Sequence, residues 1–458
     1  MRKLIFVLIN ILLCALSLTI SSCSFYFGNL GDSKVGRPTI VDNIDGYAII
    51  FFEIRKSSDE SEFYAQKISP DGDFMWGQKG ILVDTGYKNW GDINDFFSVS
   101  DGNNGAIVVW SANLSRQALG KSKVDNAFSY VTHITRIGLN GDIRWSKEIS
   151  GCNSLLQDNI GGAWVIDTEN DSNNSTISKI NSEGNFVLNK EMPLLIDVVS
   201  DNSGGLITAQ KTLQNRLVVQ RINGFGNLIW SRSLSADLNL TEEPRINSDK
   251  LGGAYITWAN ILTTRNPSKG FNYSYGSDIY TQKIDSKGNI NWQVDGLPVY
   301  TSEHNGNNPR IVADNAGGAF IVYSNLVQLN IQKVDAGGKL IWLQSLECKV
   351  KSFPYYSAKS DGFGGIILDW IQSGEERVQN LDSTGKKLWG DNGVAIVANS
   401  DLRSSSSILR FGNMSLISRD EKGGVFITWS SGSNSLMQRV DSMGNRSYGD
   451  DGILLNRK

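Results

Sequence analysis

Eight times along this chain a short β-branched run ends in a glycine turn, with a large residue four positions after the glycine. The pairs are Gly72/Trp76, Gly141/Trp145, Gly184/Leu188, Gly226/Trp230, Gly288/Trp292, Gly338/Trp342, Gly385/Trp389 and Gly444/Tyr448. Six of the eight keep Trp. Glycine supplies the positive φ that a tight hairpin needs. A turn locked to an aromatic and repeated at this period is the mark of a propeller blade. The repeat predicts an all-β fold, a single eight-bladed β-propeller of four-stranded antiparallel blades over residues 37–458. Seven blades plus an incomplete one is the alternative.

Blade six shows the unit most clearly. Pro309–Asp314 reads as strand A, Ala319–Tyr323 as B, Asn330–Val334 as C and Lys339–Trp342 as D, each bounded by Gly or Asp. The A–B turn, Asp-x-x-Gly-Gly, recurs at Asp158, Asp201, Asp249, Asp314 and Asp361. It returns at Asp420 as Asp-Glu-Lys-Gly-Gly, and in looser form at Asp42 and Asp101. Strand B is apolar on both faces, as for a strand sandwiched between neighbours. Strand C carries Lys or Arg in seven blades and Asn380 in blade seven. Pairing with the turn carboxylates, with the apolar stems on the blade edge, is favoured over a basic ring for polyanions. The strand D aromatics, Trp76, Trp145, Trp230, Trp292, Trp342 and Trp389, read as structural docking residues that bury a large ring against the next blade.

The N-terminus carries other information. Arg2 and Lys3 precede an apolar stretch from Leu4 to Ile20, and Ile20-Ser-Ser-Cys23 follows. This reads as a signal peptide over residues 1–22, with a lipobox that makes Cys23 the lipidated N-terminus. Residues 23–36 then form a tether, reaching roughly 45 Å at ~3.4 Å per residue. The expectation is an exported chain held to the lipid bilayer through acylated Cys23, at the outer membrane if the cell has one. Losing residues 1–22 removes Arg2 and Lys3 and no acid, so the net charge moves from −3 to −5. That balance argues against nucleic acid.

The phrase Val334-Asp335-x-x-Gly338-x-x-x-Trp342 resembles the Trp-docking repeat of quinoprotein-type propellers. It is also similar to the SBBP-like propeller repeats of bacteria, with their Lys-(Ile/Val)-Asp-x-x-Gly phrase. The resemblance spans about residues 37–458, and its hairpin is one residue shorter than in quinoproteins. It implies an architecture shared with the lipid-anchored propellers of outer-membrane assembly. No quinone-binding residues are identifiable, so no cofactor is carried over.

For function, the A–B and C–D turns share one face and are uniform, while the B–C loops and D–A crossings vary in length. Irregular loops read as recognition. The long segments are Ser111–Thr132, Ala259–Ile279, Gly77–Asn94, Gln293–Asn308 and Gly390–Asn413. The candidate binding face comprises the residues that end strand B, Trp110, Trp258, Tyr323, Trp370 and Trp429, with the polar breaks Asp167 and Gln210, and the loop residues Tyr273 and Tyr275. Packing between blades is the favoured reading of the strand B aromatics. His133 and His304 stand apart with no metal-ligand spacing, and no nucleophile elbow or phosphate loop is present. No catalytic residue is assigned. Glu242-Glu243 and Glu375-Glu376 read as solvated loop charge. Cys152 and Cys348 occupy equivalent places four blades apart, too far for a disulfide, so two free, mostly buried thiols are expected. The function expected is a monomeric, non-enzymatic scaffold for protein or glycan partners, with an outer-membrane assembly factor or a channel-sited glycan hydrolase or lyase as alternatives. Blade eight is where the ring must close, with Gly452–Leu455 expected to pair against blade one.

Overall fold

The computed structural model describes residues 38–456, apart from 43–44, 58–59, 86–89, 115–128, 169–173, 213–215, 235–242, 266–271, 302–305, 326–327, 349–355, 373–374, 399–415 and 432–433. The signal segment, Cys23 and the tether lie outside these residues. The described chain forms eight four-stranded antiparallel sheets, each built from four consecutive strands. Blade six runs Asn307–Ala313, Ala319–Asn325, Gln328–Val334 and Leu340–Glu347. The inner strand Thr39–Asp42 of blade one packs beside Trp90–Ser100 of blade two and Leu416–Arg419 of blade eight, which closes the circle. This is an eight-bladed β-propeller, and the eighth blade is complete.

Closure uses side chains, not a shared strand. Ile453–Leu454 pairs with Leu436 and Met437 of its own blade, and Leu455 N donates to Ser435 O at 2.9 Å. The expected pairing of Gly452–Leu455 with blade one is therefore corrected. Instead Leu455, Phe426 and Met437 pack against Ile50 and Phe52. Tyr448 Oη donates to Ser69 O at 2.7 Å across the same seam.

The Gly-to-aromatic phrase works between blades. The strand D aromatic of one blade lies under the C–D turn of the next, where only glycine leaves room. A Cβ on Gly338 would stand 2.8 Å from Trp292 Cδ1, and one on Gly72 3.1 Å from Tyr448. The indole N–H then donates to the carbonyl two residues before that glycine. Trp292 reaches Ala336 O at 3.2 Å, Trp342 reaches Ser383 O at 3.0 Å, and Trp389 reaches Ser442 O at 3.2 Å.

Strand D comes in two forms, a distinction the sequence reading did not draw. In blades two, three, four and six it is continuous. In blades one, five, seven and eight it makes one bridge, breaks at a turn after the aromatic, and restarts. Those four blades carry a second glycine four residues after the aromatic, at Gly80, Gly296, Gly393 and Gly452, each at positive φ. A strand C glutamine holds each break: Gln66, Gln282, Gln379 or Gln438, all fully buried. Gln282 Oε1 accepts from Trp292 N at 3.0 Å and Lys283 N at 2.8 Å, while its Nε2 donates to Gln293 O.

These breaks shorten the expected crossings. Gly77–Asn94 contains strand Ile81–Thr85, Gln293–Asn308 contains Leu297–Tyr300, and Gly390–Asn413 contains Val394–Ala395. The long B–C loop of blade five is mostly a ribbon of Ala254–Arg265 and Asn272–Ile284.

Candidate functional site

Each A–B turn is organised by its aspartate. Asp314 Oδ1 accepts from Ala316 N at 2.7 Å and Gly318 N at 2.8 Å, an Asx turn that fixes the hairpin. The second oxygen faces the strand C cation. Ion pairs form at Lys67–Asp45 (2.6 Å), Arg136–Asp101 (2.9 Å), Lys179–Asp158 (3.7 Å), Arg221–Asp201 (2.9 Å), Arg439–Asp420 (2.5 Å) and Lys333–Asp314. Lys283 of blade five donates instead to Gly317 O of the next turn at 2.7 Å. These cations are committed to the frame, as the pairing reading expects.

The strand B aromatics are also structural. Trp110, Trp258, Tyr323, Trp370 and Trp429 are buried in the seams, so they do not form an open rim for a ligand. The reason is that strand B does not end at the aromatic but runs on to Leu114, Arg265, Asn325, Gln372 and Ser431, so each ring lies within the strand, between two blades. Trp110 stacks on His133 at 4.5 Å between ring centroids. Burial lowers the His133 pKa against the raising effect of Asp84 and Glu148, which leaves a neutral core histidine. Gln210 is buried and donates to Gln220 Oε1 at 3.0 Å, and Asp167 is half-buried, so the two do not combine into an exposed polar gap. Tyr273 and Tyr275 lie on the strand Asn272–Ile284, but their side chains are outside the described residues, as is His304.

Cys152 and Cys348 are free thiols, as expected, half-buried and buried respectively. Burial pushes the Cys348 thiol up to about 12. No group of His, Cys, Asp and Glu suited to a metal ion occurs among the described residues.

The carboxyl pair of blade seven needs a correction. Glu376 is not solvated loop charge: it lies in strand Glu375–Leu381 and is buried, as is Asp369 in the adjacent strand Ile366–Gln372. Burial, then the charge of Asp369, pushes the Glu376 carboxyl well above the usual range. Strands B and C are not the inner strands, so this pair is sealed in the blade and does not face the channel. Its folded pKa exceeds its unfolded one, so the folded state holds the extra proton. The stability it contributes is full below an unfolded pKa of about 4.3 and is lost as pH rises toward the folded value. Glu376→Gln is expected to raise Tm by a few degrees at about pH 8 and to change it little near pH 4. Equal shifts at both pH values, read by thermal melts, would exclude a titrating origin.

Five of the six most exposed apolar side chains among the described residues sit on the opposite face from the one expected; the sixth, Val294, is in the strand D break of blade five. Phe225, Leu251, Met443, Ile160 and Phe363 are 82, 81, 77, 70 and 67% exposed. All five are third residues of A–B or C–D turns, whose first residue uses its side chain to accept the tip's own N–H: Asn223 for Phe225 (3.0 Å), Asp249 for Leu251 (2.7 Å) and Asp441 for Met443 (2.9 Å). The turn therefore presents the tip side chain outward on a rigid base. Uniform turn length gives this face the look of plain scaffold in the sequence. The overlooked signal is apolar residues at tips where Ser, Lys or Asn stand in other blades.

Two shallow clefts of about 400 Å³ each lie on this same face. One is at the seam of blades three and four, and the other at the seam of blades two and three.

No protein-family model matches the chain, and no curated protein matches it. Among solved structures it is similar to the β-propeller domain of the Trilobed protease from Pyrococcus furiosus, with 10% identity, TM-score 0.41 and coverage of 78% of this chain and 99% of that one. It is similar to TolB from Acinetobacter baumannii, with 12% identity, TM-score 0.32 and coverage of 79% and 82%. It is also similar to prolyl oligopeptidase B from Galerina marginata, with 12% identity and TM-score 0.41, covering 92% of this chain and 50% of that one.

Proposed function

We propose that this chain is a lipid-anchored, exported β-propeller that acts as a non-enzymatic scaffold for a protein partner, engaged through the face that bears the A–B and C–D turns. The observation that carries the reading is the set of rigidly based apolar tips, Phe225, Leu251, Met443, Ile160 and Phe363. Apolar side chains held out in water on stiff turns favour a macromolecular partner. A protein is favoured over a glycan because the strand B aromatics suited to stacking on sugars are buried. The buried place of Asp369 and Glu376 likewise gives a channel-sited hydrolase no support from that pair. The leader and Ile20–Cys23 support anchoring at the cell envelope. An assembly role at the outer membrane would be one instance of such a scaffold.

The test is site-specific photo-cross-linking in the native cell with the full chain. Probes at positions 251, 363 and 443 are expected to give discrete protein adducts, and a probe at Leu343, on the strand D edge, to give none. Equal labelling from Leu343, or none from the tips, sinks the reading. Separately, Cys23→Ser is expected to release the protein from the membrane fraction. Retention of the variant there would refute the anchor.

A further inference from the structure

We propose that the seam between blades three and four is a binding site for a tryptophan side chain of a partner protein. The proposal rests on the reading of the turn-bearing face as the docking surface.

The molecule supplies its own template. At the seam of blades two and three, Ser182 O accepts two donors: Arg136 Nη1 at 2.8 Å and Trp145 Nε1 at 2.9 Å. At the seam of blades four and five, Ser286 O accepts Arg221 Nη1 at 3.4 Å and Trp230 Nε1 at 3.1 Å. The equivalent carbonyl between them is that of Gly224. It accepts Lys179 Nζ at 3.5 Å and, among the described residues, nothing else. The cation is present and the indole is missing, because blade three carries Leu188 where the others carry Trp, or Tyr448. A carbonyl oxygen has two lone pairs, so one stays available for an N–H donor.

The space matches the missing group. Leu188 reaches the glycine, its Cδ2 lying 2.9 Å from where a Cβ on Gly226 would stand, but a branched four-carbon side chain ends there. The cleft of about 400 Å³ is walled by Ile160, Val187, Leu188 and Phe225, with Asp158 and Lys179 also lining it. Trp164 lies fully buried in the core cluster against which Leu188 packs, and donates to Gly204 O at 3.2 Å. The Lys179 ammonium lies 5.2 Å from the Trp164 ring. An apolar-walled cavity takes an aromatic group readily, and the Gly224 carbonyl selects one with an N–H edge.

A protein partner is the occupant because the walls are not closed. Ile160, Val187 and Phe225 remain largely exposed around the opening. A free indole would leave them in water, whereas a peptide segment carrying the tryptophan would cover them. The cleft is also continuous with the apolar tips, since Ile160 and Phe225 belong to both.

The probe is N-acetyl-tryptophanamide, with N-acetyl-leucinamide as control, observed by saturation-transfer NMR on the full chain. Wild type is expected to bind the tryptophan amide saturably and the leucine amide at least tenfold more weakly. Leu188→Trp, which fills the seam from within, is expected to lose at least 90% of the signal while melting no lower than wild type. Leu188→Phe provides a second plug if the larger variant misfolds. No saturable binding by wild type, or binding undiminished in both plugged variants, overturns the cleft even if positions 251, 363 and 443 still cross-link. Amide binding without any tip cross-links overturns the protein occupant and leaves free indole compounds as the ligand.

Discussion

Trp292→Ala is expected to cost about 3–5 kcal/mol of stability, the range for removing a buried aromatic. Trp292 is 7% exposed, stacks at a tilt on Tyr255 with ring centroids 5.7 Å apart, and donates to Ala336 O of the next blade at 3.2 Å. Alanine would leave a cavity between two blades, free that carbonyl of its donor, and remove the ring under Gly338. The strands on either side are fixed by their own ladders, so the seam has little freedom to collapse. Thermal unfolding is expected to shift down by several degrees. Leu188→Ala, at the seam that already opens into a cleft, is expected to shift it less, because fewer contacts are lost there. A Trp292→Ala variant melting with wild type would mean that the indole does not hold the seam.

Gln282→Leu is expected to cost on the order of 3 kcal/mol or more, since it strips partners from three backbone groups at once and each buried orphan costs about 1–3 kcal/mol. The groups are Trp292 N, Lys283 N and Gln293 O. Leucine has a similar volume, so packing is nearly kept and the polar loss is isolated. Gln220→Leu in blade four is the control. Its carboxamide meets only side chains, Gln210 Nε2 at 3.0 Å and Ser231 Oγ at 3.3 Å, and its strand D is continuous. Its cost is expected to stay near the ~1 kcal/mol of ordinary hydrogen bonds. If chemical denaturation shows equal costs for the two, the glutamine does not hold the strand break.

The blade number and strand order were legible in the primary structure because they rest on local chemistry. A glycine needing positive φ, an aspartate accepting its own turn N–H groups and an apolar strand B each leave a mark within a few residues. The strand D break was legible in principle: Gly80, Gly296, Gly393 and Gly452 stand four after the aromatic, and Gln66, Gln282, Gln379 and Gln438 stand ten before it. Its meaning was not, since a buried carboxamide that clamps a turn reads like any strand C polar residue.

The candidate site was the least legible. Trp110, Trp258, Tyr323, Trp370 and Trp429 have the composition of a binding rim, yet burial is decided by the neighbouring blade, some 40 or more residues away in the chain. Glu376 looked like half of a solvated pair until its strand placed it against Asp369. Leu188 was visible as a defect in the repeat, but a defect could equally be repacked. Only the structure shows that a cleft survives there and that Gly224 O lacks the second donor of its neighbours.

By itself, then, the order of residues determined the repeat, the eight four-stranded blades and the pairing of strand C cations with turn aspartates. Each depends on backbone conformation and contacts within one blade. The tertiary structure decided which aromatics face solvent, which carboxyls keep their protons, how the ring closes at Tyr448 and where a seam stays open. Those outcomes depend on what the adjacent blade presents across the gap, and no single repeat encodes its neighbour.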